Sequence, residues 1–153
     1  MIDLDIEEEA WRAEVPDAEA LAVRAAEAAL AGAARSGDVA LLLTGDDTLA
    51  DLNRRFRGKP GPTNVLSFPA LSGAGEHLGD VAVAYGVCAR EAKAQGKRLE
   101  HHLMHLVAHG VLHLVGYDHQ TESEAQTMEA LERRVLEGLG APDPYQTAEP
   151  DAR

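Results

Sequence analysis

The sequence predicts an α+β fold of about four strands and about five helices. Three observations predict it. Short apolar or alternating runs lie at 2–6, 39–43, 63–68 and 80–85, each too short for a helix. Helical periodicity dominates the second half, in segments that stop at glycines. One of those segments carries the spacing H-x3-H-x2-G-x2-H, from His109 to His119.

Taken in order, Ile2, Leu4 and Ile6 alternate with acids and read as a half-exposed strand. Residues 11–15 read as a connection. Pro16 suits a first helical turn, with Asp17 and Glu19 favourable beside it. An alanine-rich helix follows, with Leu21, Ala25, Ala28 and Ala29 inward, stopping near Gly37. The apolar run 39–43 is a buried strand. Thr44 or Asp46 caps a helix to about Arg55, with Leu49, Leu52 and Phe56 inward. Residues 57–62 are a loop by composition, 63–68 a strand, 69–77 a glycine-containing loop and 80–85 another strand. Helices are expected over 87–95, 99–115 and 122–139, the last with Met128, Leu131, Val135 and Leu139 on one face. Strand order does not follow from the pattern.

At 153 residues the chain can bury a proper core. One domain is expected over 1–140. Prolines and acids after Gly140 suggest that 141–153 form a frayed acidic tail. No apolar run approaches a membrane span of about 18 residues. The acidic N-terminus is unlike a signal peptide, and one cysteine, Cys88, cannot form an internal disulfide, so a cytoplasmic location is expected. The net charge of −12 resides at the ends: 1–19 carry −7, 122–153 carry −5 and the middle is neutral. Phosphate attraction depends on the local field, so the acidic ends do not exclude an anionic substrate.

On a helix, His109 and His113 share one face, one turn apart. Gly116 can turn the chain back and bring His119 round as a third ligand. Three neutral imidazoles leave one position of a tetrahedral zinc open, the pattern of a catalytic rather than a structural site. The frame matches the metal-binding half of the zincin motif, but Gly110 stands where zincins carry their glutamate base. His105 and His113 start about 12 Å apart along a helix axis and cannot both reach one ion. That leaves 105/109 or 109/113, and the turn favours the pair nearer His119. His105 then packs behind the site or touches substrate, His101 and His102 face solvent, and Asp118 either shapes the turn or moves a proton.

An open zinc can act on a carbonyl or a phosphoryl oxygen. Amide hydrolysis needs a proton shuttle, and Gly110 cannot be one. The stretch Arg54-Arg55-Phe56-Arg57-Gly58-Lys59 places four cations beside a loop, which suits phosphodiester chemistry but also an ordinary helix end. A peptidase-like zinc hydrolase and a protein whose zinc only stabilises the fold, without turnover, are the alternatives to a nuclease.

Three separated motifs resemble the YbeY family of bacterial endoribonucleases and rRNA maturation factors. They are Leu52 to Lys59 followed by Pro62-Thr63-Asn64-Val65-Leu66-Ser67-Phe68-Pro69, then Leu78-Gly79-Asp80, then His105 to His119. Met128, Glu129 and Glu132 resemble the helix that follows. The resemblance implies a small mixed sheet with helices around it and a zincin-like site on a helix and the turn after it. It implies zinc on His109, His113 and His119, with Arg57 the functional arginine. His105 and Asp118 are candidate catalytic groups beside it, and Arg55, Lys59, Asn64 and Ser67 candidate RNA contacts. It implies cleavage of single-stranded rRNA at the 3′ end of the small-subunit 16S rRNA, in ribosome quality control, with the ribosome or its small-subunit assembly factors as partners.

Overall fold

A computed structural model describes residues 1–70 and 76–145. Most of the expected 69–77 loop, and residues 146–153 of the expected tail, lie outside these. The elements in chain order are β1 (Ile2–Ile6), α1 (Ala10–Glu14), α2 (Ala18–Gly32), β2 (Asp38–Thr44), α3 (Asp46–Arg57), β3 (Val65–Pro69), β4 (His77–Ala84), α4 (Tyr85–Gln95), α5 (Leu99–Leu114) and α6 (Glu122–Gly138). This is the expected α+β class with a four-stranded mixed sheet and one helix more than anticipated.

The extra helix is α1, read from sequence as a connection. Five residues show no period, but Trp11 is fully buried there and its indole N–H donates to the Thr44 carbonyl at 3.1 Å. Helix α2 ends earlier than Gly37. Its chain turns at Ala34, which has φ of 55°, and the Arg35 N–H returns to the Leu30 carbonyl.

The sheet order is β1-β2-β4-β3. β1 and β4 flank β2 in parallel, while β3 runs antiparallel to β4 at an edge. Period-2 alternation splits the strands between two faces. Val39, Leu41, Leu43, Val81 and Val83 join the main core, together with buried side chains of α2, α5 and α6. Leu66, Ala82 and Ala84 form a smaller cluster on the other face with Leu49 of α3. Phe56, expected inward, is 61% exposed and meets Phe68 edge-on, with ring centroids 5.4 Å apart. The buried face of α3 is narrow, holding Leu49 and Asn53, and Asn53 donates to the Gly61 carbonyl at 2.9 Å.

Helix α5 is the centre of the molecule, in contact with the sheet and with α2, α4 and α6. It is therefore apolar nearly all round, and its few polar side chains need specific partners. His102 is one. It was expected to face solvent but is 3% exposed, bonded through Nε2 to Glu91 of α4 at 2.9 Å.

Candidate metal centre

The last turn of α5 presents His109 and His113 on one face. The helix then closes with the double hydrogen bond of a glycine-terminated helix. Gly116 N–H bonds the His113 carbonyl at 3.1 Å, and Tyr117 N–H bonds the Leu112 carbonyl at 3.1 Å. Gly116 has φ of 106°, which a side chain would strain. The reversal brings His119 back over the helix. Ring centroids lie 4.7 Å apart for His109 and His113, 5.1 Å for His113 and His119, and 5.6 Å for His109 and His119. The three offer nitrogens within 4.8 Å of one another.

This donor set fits zinc: three imidazoles, no thiolate, and a fourth side left to solvent. His109 offers its Nε2 to the group, because its Nδ1 bonds Glu132 Oε2 at 2.5 Å. Burial holds the His113 pKa below the usual value, aided by His109 and His119. The neutral, ligating form is thereby favoured.

Position 110 explains the missing peptidase glutamate. It faces the sheet. A Cβ there would lie 2.6 Å from Val81 Cγ1, 3.1 Å from Ser67 Oγ and 3.2 Å from Val65 Cγ2. Ser67 seals the contact, its hydroxyl donating to the Gly110 carbonyl at 2.8 Å. We expect Gly110→Ala to destabilise the fold by about 1–3 kcal/mol through overpacking, despite alanine's better helix propensity. A thermal or urea melt checks this; equal or greater stability would show that the helix has room to move.

The histidines open onto a cleft of about 690 Å³ whose walls include Arg57, Asn64, Ser67 and Asp118. Arg54 and Arg55 are tied to Asp51 at 2.7 and 3.2 Å. Arg57 is exposed and has no ion pair among the described residues. Asp118 Oδ1 accepts the His119 N–H at 2.7 Å and so shapes the loop that carries His119. Asn64 donates to Glu91 at 3.1 Å, the carboxylate that also holds His102. Arg55, Lys59 and His105 are not among the lining residues of the cleft. His105 sits one turn earlier on α5, beside an adjoining cavity of about 290 Å³ that shares Asn64, Val65 and His109 with the cleft.

A family model described as Endoribonuclease YbeY matches residues 4–140. The chain belongs to the YbeY family. A member from Rhodopseudomonas palustris (strain HaA2), named Endoribonuclease YbeY, is 52% identical over 149 residues, covering 88% of this chain and 76% of that protein. One from Maricaulis maris (strain MCS10), with the same name, is 47% identical over 155 residues, covering 97% and 94%. The solution structure of TM1509 from Thermotoga maritima has a TM-score of 0.57 at 23% identity over the full length of both chains, a likeness of fold.

Two further residues of this YbeY chain meet the centre from behind. Glu132 of α6 is fully buried, and Tyr145 donates its hydroxyl to Glu132 Oε1. His105 Nε2 is 3.7 Å from that same oxygen. Burial alone would raise the Glu132 pKa, but His105 and His109 outweigh it and hold the carboxyl at about 2. Burial, then Glu132, pushes the Tyr145 phenol well above its ordinary value, so it stays a donor. Glu132 appeared in the sequence only within the family pattern, and Tyr145 fell in the expected tail. Residues 141–145 lie against the body, with Ala141 buried and the Pro144 carbonyl accepting Lys97 Nζ at 2.7 Å.

The lowered His113 pKa fixes a pH dependence. An unfolded histidine takes up its proton near 6.5, whereas the folded one does so only at lower pH. The unfolded chain therefore binds more protons over that interval, and stability falls as pH drops below about 6.5. Melting of metal-free protein should show a steeper acid loss in wild type than in His113→Gln. Parallel curves would remove His113 as the cause.

Proposed function

We propose that this chain is a zinc-dependent endoribonuclease specific for single strands, with residues 1–140 as its one domain. Its role would be 3′-end maturation of 16S rRNA and ribosome quality control, in the cytoplasm, with the ribosome or small-subunit assembly factors as partners. One observation carries the reading beyond family membership. Arg57, without an ion pair among the described residues, shares a cleft with three convergent imidazoles.

Zinc on His109, His113 and His119 would supply Lewis acidity toward a phosphoryl oxygen and a solvent nucleophile of lowered pKa. Arg57, which lines the same cleft, binds the scissile phosphate and offsets charge developing on its oxygens. Asp118 keeps one carboxylate oxygen for proton transfer, the other being held by the His119 N–H. Asn64 and Ser67 line the path of the strand, while Arg55 and Lys59 extend the positive field beyond the cleft. His105 acts from behind, through Glu132. No helix among the described residues is long and apolar enough to cross a membrane. The peptidase alternative loses support because position 110 packs on the sheet.

The test incubates metal-loaded protein with single-stranded RNA and with unstructured peptides in parallel, beside identically prepared His113→Ala. RNA cleavage confined to the intact protein is expected. Peptide turnover without RNA turnover, or equal cleavage by the variant, would overturn the reading.

A further inference from the structure

A carboxylate with no exposed surface needs partners that compensate its lost hydration. Glu132 has them, and all lie on the back of the metal centre. Oε2 accepts His109 Nδ1–H at 2.5 Å, and Oε1 accepts the Tyr145 hydroxyl. The Tyr145 ring also meets His105 edge-on, with centroids 5.4 Å apart. The end of the segment is itself anchored. Tyr145 N–H bonds Asp143 at 2.8 Å, and Arg133 pairs with Asp143 at 3.3 Å while lying over the Tyr145 ring at 5.4 Å.

We propose that Glu132 and Tyr145 are positioning residues that fix the ring and tautomer of His109 for metal binding. This rests on the three-histidine reading above. An imidazole whose Nδ1–H is given to a carboxylate has its lone pair on Nε2, on the opposite side of the ring. His109 turns that side toward His113 and His119. The adjacent negative charge also makes Nε2 a better donor. Tyr145 holds the carboxylate in the rotamer that does this, so the segment after α6 tunes the centre through Glu132.

The experiment measures zinc affinity by competition with a chromophoric chelator for wild type, Glu132→Gln, Tyr145→Phe and His113→Ala. It is paired with the melting of each metal-free protein and with the 15N shifts that report the His109 tautomer. Glu132→Gln keeps the side-chain shape and removes the charge. Tyr145→Phe keeps the ring and removes one hydroxyl. We expect zinc binding about 10- to 100-fold weaker in Glu132→Gln and weaker by a smaller factor in Tyr145→Phe. The His109 proton should shift from Nδ1 toward a tautomer mixture in Glu132→Gln, and Tyr145→Phe should stay folded while melting below wild type, because the buried carboxylate loses one partner. If Glu132→Gln fails to fold, Tyr145→Phe decides alone. Wild-type affinity and an unchanged tautomer in the folded variants overturn the proposal while leaving the three-histidine site intact. A wild-type protein that binds zinc no better than His113→Ala overturns the three-histidine reading, and this proposal with it.

Discussion

Arg57→Ala is expected to slow cleavage of single-stranded RNA by about 100- to 1000-fold, the usual loss when one donor to a developing oxyanion is removed. Arg57 ends α3, exposed and without an ion pair among the described residues, so its removal should leave metal content and melting temperature unchanged. Arg57→Lys should recover only part of the rate, because an ammonium cannot offer two parallel donors to one phosphate. Single-turnover assays with metal analysis of the same samples separate the possibilities. Normal cleavage by Arg57→Ala would remove this residue from the mechanism; a parallel loss of metal would recast it as structural.

His113→Ala should have the larger effect, reducing cleavage to the level of chelated wild type. His113 forms a triangle with the other two imidazoles, 4.7 and 5.1 Å from their ring centroids. Zinc that binds only the folded state adds about 2.7 kcal/mol of stability when free zinc is 100 times its dissociation constant. For a chain of this size that is about 5–10 °C in Tm. Wild type should gain that increment on adding zinc, and His113→Ala should not. An equal gain in the variant would mean that zinc binds elsewhere.

Much of this centre is legible in the chain because it is local. His109 and His113 are one turn apart, and Gly116 marks the reversal that returns His119. The absence of glutamate at 110 is legible too, but its cause, contact with Val81 and Val65, requires the sheet. What sequence reasoning missed depends on distant partners. His102 finds Glu91 eleven residues away, and Glu132 finds His109 and Tyr145 at separations of 23 and 13. Nothing in local periodicity sets those pairings. The strand order escaped for a related reason. Each strand shows its alternation, but the choice of β4 rather than β3 as the neighbour of β2 depends on how β4 is shared between β2 and β3. Trp11 was lost because α1 is too short to show a period.

Elemental analysis of protein purified without a metal-affinity tag bears most directly on the three-imidazole centre. Wild type should hold one transition-metal ion per chain through gel filtration, and His109→Ala, His113→Ala and His119→Ala should each lose it. Wild-type protein that cleaves RNA with no bound metal, or metal content unchanged in all three variants, would contradict the account.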